Sequence, residues 1–323
     1  YANTTGSYNQ AIGKAALWAN TTGEDNTAMG YYASFYNTTG YGNVAVGRDV
    51  LFGNTTGDYN TAIGVYALKN SLSGDHNFAA GRNALYSNWG GCCNTAIGYQ
   101  ALCSNTTGTD NNAIGQSALQ SNTTGDNNVA VGNNALKSNT TGLRNNAIGL
   151  AVLYSNTTGC YNHAIGDHAL YSNIAGCYNH AMGYQTLYSN TSGCHNTALG
   201  NGALRGNTTG NYNTAIGLNA LYSSLSGCHN FAAGNTALYN NWGGSNNTAI
   251  GDGTLNANTT GKCNVAVGSL ALYKNTTGTN NNALGTRALF ENTTGGCNNA
   301  IGCGALYNNT EGCGNNALGY YAL

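Results

Sequence analysis

The stretch 54–70, NTTGDYNTAIGVYALKN, decides the fold, because nearly the same 17 residues recur along the whole chain. Nineteen copies account for all 323 residues without an insertion or deletion. Such strict repetition indicates an architecture in which each unit contacts only its neighbours. We number positions within a unit from the Asn of NTTG, so that positions 4, 7, 9 and 11 are Gly, Asn, Ala and Gly in every copy.

A second period lies above the first. The two Met residues, Met29 and Met182, are 153 residues apart, and so are the unusual segments 71–81 and 224–234. Because 153 residues equal nine units, a nine-unit block has been duplicated. We therefore predict a single repeat domain over residues 1–323.

The constant glycines favour strands over helices, since each would cost about 1 kcal/mol inside a helix. We predict an all-β parallel β-solenoid of nineteen 17-residue coils, with two short strands and two turns per coil. Coils stacked about 4.8 Å apart would form an elongated rod. Gly57 and Gly64 mark its corners, together with Asn60. The position-7 Asn either stacks into an amide ladder or serves only as a local turn residue.

Adjacent residues of a strand point to opposite sides, so positions 9 and 10 cannot both face the coil interior, and neither can positions 14 and 15. We expect the position-9 Ala and the position-15 Leu to lie inside. The aliphatic row at position 10 then faces outward and forms an interface with partner chains. A tightly kinked coil that hides both rows in a monomer is the alternative. The isoleucines of the predicted interface are Ile12, Ile63, Ile97, Ile114, Ile148, Ile165, Ile216 and Ile250.

Composition excludes several functions. Only 7% of residues are charged and the formal net charge is −1, so there is no basic surface for nucleic acid. No apolar run approaches the roughly 18 residues of a membrane span, so membrane insertion of this segment is not expected. The acidic residues are scattered, mostly at turn positions 5 and 6, and a regular rod offers them no concave site. We expect neither an enzyme nor a cofactor.

Eleven cysteines are the unusual part of the composition. Cys160, Cys177 and Cys194 occupy position 5 of consecutive units, where stacking would bring neighbouring Cα atoms within disulfide range. The motif CYNH, at 160–163 and again at 177–180, also places Cys160, His163, Cys177 and His180 as weak candidates for a zinc site. The third interpretation is that these cysteines are structural or incidental.

Three further rows have open interpretations. The frequent aromatic residues at position 16 either stack between coils or bind sugars. Thirteen Asn-x-Ser/Thr motifs at the NTTG corner are glycan acceptors in a secretory setting and plain turns otherwise. The same threonines suggest an ice-binding surface, but Thr4 and Thr5 are adjacent and would point in opposite directions.

The segment NTAIGYQAL (94–102) and its copies resemble the head repeats of trimeric autotransporter adhesins and NTTG-type repeats of tail-fibre-like proteins. That resemblance implies a left-handed β-roll, association of three chains, and a surface that binds host, matrix or glycan. The unit here is longer than the usual head repeat and carries the extra NTTG turn. The resemblance and the repeat together predict a non-enzymatic extracellular fibre or adhesin shaft, at a cell surface or on a virion. The alternatives are a filament that assembles end to end without a specific ligand and, less favoured, an ice-binding protein.

Overall fold

The computed structural model describes residues 2–323, and every regular element among them is a β-strand. These residues belong to two compact units, one that ends at Tyr161 and one from Asn162 to Leu323. In each unit a three-residue strand recurs every 17 residues in a parallel β-solenoid, so the predicted fold class is confirmed. No helix within residues 2–323 is long and apolar enough to cross a bilayer.

Each coil contributes one strand, at positions 8 to 10. The first unit contains β1 (Gln10–Ile12), β2 (Thr27–Met29), β3 (Val44–Val46), β4 (Thr61–Ile63), β5 (Phe78–Ala80), β6 (Thr95–Ile97), β7 (Asn112–Ile114), β8 (Val129–Val131) and β9 (Asn146–Ile148). The second contains β10 (His163–Ile165), β11 (His180–Met182), β12 (Thr197–Leu199), β13 (Thr214–Ile216), β14 (Phe231–Ala233), β15 (Thr248–Ile250), β16 (Val265–Val267), β17 (Asn282–Leu284), β18 (Asn299–Ile301) and β19 (Asn316–Leu318).

Within each unit, successive strands pair in parallel and in register. Ala96 of β6 lies opposite Ala113 of β7 in the first unit, and Ala215 of β13 lies opposite Ala232 of β14 in the second. This register stacks each position of a coil on the same position of the next. Any side chain that recurs at one position therefore becomes a continuous row.

The core of each coil is small and aliphatic. In the coil 105–121, the side chains of Ala113, Ala118 and Leu119 at positions 9, 14 and 15 are all fully buried. The predicted burial of the Ala row and the Leu row is thus found. The expectation that positions 14 and 15 face opposite sides is wrong, because these two residues do not belong to a strand.

A turn replaces the second strand that the sequence predicts. Residues 116–121 form a continuous turn, in which Ser117 has φ 55° and Leu119 has φ 50°. A left-handed backbone at a leucine costs roughly 1–2 kcal/mol. Burial of the leucine side chain returns about 1.5–3 kcal/mol, and the backbone N–H of Leu119 donates to the carbonyl of Ala135 at 3.0 Å. The left-handed residue turns the chain so that two adjacent side chains enter the core.

Glycine is required at positions 4 and 11 for different physical reasons. At position 11, Gly64 has φ 123°, and a Cβ there would lie 3.0 Å from the Gly81 carbonyl carbon of the next coil. At position 4, a Cβ on Gly57 would lie 2.5 Å from Oδ1 of Asn54. The first glycine supplies a backbone conformation that L-residues avoid, whereas the second makes room for a side chain in the core.

Candidate self-association surface and side-chain ladders

The outward face of the strands is formed by positions 8 and 10. In β7, Ala113 is buried, whereas Asn112 and Ile114 on either side of it are exposed. The eight isoleucines of the predicted interface are all exposed in this way, by 37% to 59% of their surface. The strand geometry therefore separates a row of alanines inside from a row of larger aliphatic side chains outside.

One coil in each unit varies this outward face. In β5, Phe78 occupies position 8 and Ala80 occupies position 10, and in β14 the same exchange places Phe231 beside Ala233. Positions 8 and 10 lie on the same side of a strand, so the larger ring compensates for the smaller aliphatic group. The apolar surface continues through these coils, but its large side chain is at position 8 instead of position 10.

The outward face carries almost no charge. No Asp, Glu, Lys or Arg occurs at positions 8 to 10 of any coil, and His163 and His180 are the only titratable side chains there. Sheets built only from parallel strands are normally covered on both faces. Exposed strands of soluble proteins also usually carry charges that discourage association. Within one chain, the outward face is neither covered by another element nor protected by charged side chains.

The Asn residues at position 7 form the predicted ladder. Asn111 shows the pattern: its backbone N–H and its Nδ2 both donate to Oδ1 of Asn94, at 3.0 and 3.2 Å. Its Nδ2 also donates to the carbonyl of Gly125 at 2.8 Å, and its Oδ1 accepts from Asn128. Between the two end coils, each of these asparagines is buried and bonds to the coils on both sides of it.

A second ladder, which the sequence interpretation missed, is formed by the Asn of NTTG at position 1. Asn122 is buried, and its Nδ2 donates to Oδ1 of Asn105 at 2.8 Å and to the Gly125 carbonyl at 2.9 Å. A glycan on this nitrogen would have to replace those bonds and leave the core. Most of these Asn-x-Ser/Thr motifs are therefore core contacts, and their burial argues against their use as glycan acceptors.

Threonine hydroxyls at the NTTG corner are also used in hydrogen bonds to backbone carbonyls. The hydroxyl of Thr123 at position 2 donates to the carbonyl of Thr140 on the next coil at 3.0 Å. Position 3, as at Thr124, presents an exposed residue in every coil except the one that contains Gly243. Position 3 is Gly at Gly90 and Gly243, so this single column is interrupted in both units. The paired columns of exposed hydroxyls that a flat ice-binding plane needs are not formed here.

Position 5 supplies a hydrogen-bond acceptor to the preceding coil. Oδ1 of Asp126 accepts from the backbone N–H of Thr109 at 2.7 Å, and Sγ of Cys228 accepts in the same way from Asn211 at 3.3 Å. Asp, Asn, Ser and Cys all serve here, because each has a short side chain that ends in an acceptor. This shared role explains the recurrence of cysteine at position 5.

The cysteines considered for a disulfide follow this pattern. Cys177 and Cys194 lie on successive coils of the second unit, with 3.2 Å between the backbone nitrogen of Cys177 and Sγ of Cys194. The thiol of Cys194 donates to the carbonyl of Ser192 at 3.4 Å. Cys160 belongs to the first unit. A disulfide among the three stays a prediction.

The residues considered for zinc include two stacked histidines. The rings of His163 and His180 are nearly parallel, with their centroids 5.1 Å apart. These residues are the first of β10 and β11, and both are exposed. Burial, and after it the neighbouring His163, lowers the pKa of His180. Between residues 2 and 323, no group of three or more His, Cys, Asp or Glu side chains is arranged to hold a metal ion.

Aromatic rings form stacks in two rows. At position 16, the rings of Tyr171 and Tyr188 lie 5.1 Å apart and nearly parallel. A second stack at position 6, which the sequence interpretation missed, alternates Tyr178, His195, Tyr212 and His229 with separations of 4.8 to 5.0 Å. Neighbouring rings cover each other's faces, so these rows present ring edges to solvent. They are better suited to steadying the coils than to stacking on sugars.

A shallow groove on the first unit offers a different surface. It has a volume of about 430 Å³ and is lined by Tyr36, Phe52, Gly53, Thr55, Asn70, Leu72 and Trp89. All seven lining residues are uncharged, and Trp89 is more than half exposed. The lining suits an uncharged ligand with apolar and hydroxyl groups. A glycan partner for this chain stays a prediction.

No model of a known protein family matches this chain, and no curated protein matches it either. The likeness to adhesin head repeats therefore rests on the quoted motif.

Proposed function

We propose that this protein is a non-enzymatic structural element of a fibre and that it assembles laterally with copies of itself through the outward face of positions 8 and 10. The observation that carries the proposal is the row of exposed and half-exposed aliphatic side chains at position 10 on a parallel sheet, which narrows to alanine only at Ala80 and Ala233. Ile97, Ile114 and Ile148 belong to this row in the first unit, and Ile165 and Ile216 belong to it in the second.

Energetic reasoning favours association along many coils at once. Covering the exposed part of one isoleucine contributes roughly 1 kcal/mol, whereas bringing two chains together costs about 4–15 kcal/mol. One or two coils would not offset that cost, whereas contacts summed over many aligned coils would reach it. The strict 17-residue repeat provides this alignment, because it presents the same contact once in every coil.

The finer features of the proposal rest on the resemblance to adhesin heads. They are a homotrimer around an axis parallel to the direction in which the coils stack, an extracellular location at a cell surface or in a virion fibre, and contact with a host or matrix surface. End-to-end assembly into a filament without a specific ligand is the alternative. Negative-stain images distinguish the two, because a shaft has a fixed length and a filament does not.

Light scattering coupled to size exclusion tests lateral assembly on the full chain, whose mass is 33.1 kDa. We expect a mass that is at least twice this value and a whole multiple of it. The double variant Ile97→Lys/Ile114→Lys should elute as a monomer with an unchanged circular dichroism spectrum. The matched control, Thr107→Lys/Thr124→Lys, adds the same charge at the exposed position 3 and should remain assembled. A monomeric parent protein, or equal loss of assembly in both variants, would contradict the proposal.

A further inference from the structure

The position-1 Asn ladder is interrupted once in each unit. Ser71 in the first unit and Ser224 in the second replace the Asn that occupies position 1 in every other coil. Both serine side chains are fully buried. The serine side chain has two heavy atoms fewer than that of asparagine, is one bond shorter, and cannot span the distance between coils as the carboxamide does.

The interruption leaves polar atoms without partners inside the core. Oδ1 of Asn54, which in other coils would accept from the next Asn, has no hydrogen-bond partner, and neither has Oγ of Ser71. On the far side of the gap, Nδ2 of Asn88 donates to the Gly91 carbonyl at 2.7 Å, but it has no acceptor from the preceding coil. Asn54, Ser71 and Asn88 are each at most 1% exposed.

The second unit repeats this arrangement. Oδ1 of Asn207 and Oγ of Ser224 are buried without a partner, and Nδ2 of Asn241 keeps only its bond to the Gly244 carbonyl at 2.8 Å. The two gaps are 153 residues apart, so the duplicated block carries the same defect twice. A buried polar atom that makes no hydrogen bond costs about 1–3 kcal/mol. Four such atoms in two matching places call for a common physical explanation.

We propose that each gap is a binding site for an ordered internal water molecule that takes the place of the missing carboxamide. The water donates one hydrogen bond to Oδ1 of Asn54 and shares another with the hydroxyl of Ser71. In the second unit the same partners are Asn207 and Ser224. The space released by the shorter side chain is close to the roughly 30 Å³ that one water occupies in the liquid.

The mixed polarity of the gap selects water over an ion. Oδ1 of Asn54 requires a donor, the Nδ2 of Asn88 directs hydrogens toward the preceding coil, and the hydroxyl of Ser71 can do either. A cation would meet the Nδ2 hydrogens and an anion would meet the amide oxygen, so neither kind of ion would be matched by all the groups that line the gap. A neutral molecule that both donates and accepts satisfies the whole set.

The thermal stability of the double variant Ser71→Ala/Ser224→Ala gives a test whose sign decides the question. If water is bound, alanine removes one of its partners, and the melting temperature should fall by about 2–4 °C for the two sites together. If the gaps are dry, alanine removes two buried hydroxyls that have no partner, and the melting temperature should rise. Ser121→Ala, at a position occupied by alanine in other coils, is the control and should change little.

A crystal structure at high resolution gives the direct readout. We expect a density peak within hydrogen-bond distance of Asn54 Oδ1 and Ser71 Oγ, and its counterpart at Asn207 and Ser224. The variant Ser71→Asn should remove the first peak, restore the bond from Nδ2 to Asn54 and raise the melting temperature. Empty gaps, or a direct bond between the Asn54 amide and Ser71, would overturn the proposal.

Discussion

Removal of one amide from the position-7 ladder should destabilise the protein far more than removal of the adjacent asparagine side chain at the start of the next strand. The substitution Asn111→Ala deletes the donor bonds to Asn94 and Gly125 and both bonds accepted from Asn128. The backbone N–H of Asn128 then lacks its acceptor in a buried place. Four hydrogen bonds at about 1 kcal/mol each, one of which leaves an unpaired buried donor, give a loss of roughly 4–6 kcal/mol.

The control is Asn112→Ala, one residue farther along the chain on the exposed side of β7, where we expect a change within about 0.5 kcal/mol. Urea denaturation followed by circular dichroism measures both free energies of unfolding. Repeat proteins can unfold unit by unit. Amide hydrogen exchange should therefore also be measured in the coils on both sides of Asn111, where we expect faster exchange in Asn111→Ala. Similar effects of the two substitutions, or exchange that is unchanged beside Asn111, would refute the ladder as a source of stability.

Two further predictions concern the backbone and the pH dependence. Gly115→Ala should cost about 3–5 kcal/mol or abolish folding, because its Cβ would lie 2.5 Å from the Gly132 carbonyl oxygen at φ 134°; Gly90→Ala, whose Cβ would be 3.9 Å from the nearest atom, should be almost neutral in the same urea titration. Burial and the neighbouring His163 hold the pKa of His180 below 6.5, so the unfolded chain binds this proton more readily and stability should decrease as the pH falls below 6.5. Denaturation at pH 7.5 and 5.5 should show a smaller difference in His180→Thr, and an equal difference in both proteins would contradict this assignment.

The repeat itself made much of the fold predictable. A step of 17 residues with no insertion requires each residue to stack on its own copy, and from that stacking follow the amide row at Asn60 and the buried row of alanines. The exposure of Ile63 follows in turn, because Ala62 and Ile63 are neighbours in one strand. These inferences needed only the period of the sequence and the alternation of side chains along a strand.

The turn at positions 12 to 17 was not predictable from residue preferences. Leucine disfavours a left-handed backbone, yet Leu119 adopts one, as do the leucines at the same position of its neighbours. The inter-coil hydrogen bond and the burial of the side chain outweigh the local preference, and neither is visible in a single unit. The role of position 5 was hidden for a similar reason, because Asp126 and Cys228 have in common only an acceptor directed at the preceding coil.

The distribution of side-chain sizes across the sheet has a consequence for assembly. The inward side of each strand carries only alanine, at Ala96 or Ala113, whereas the outward side carries isoleucine at Ile97 and Ile114. Small inward residues allow the strand to approach the leucine turn closely, so the strand needs no side chain larger than alanine on its inward side. The larger apolar groups are thus on the side that one chain leaves open. Folding alone gains nothing from leaving them exposed, and their burial against another copy is the function for which we propose that they are retained.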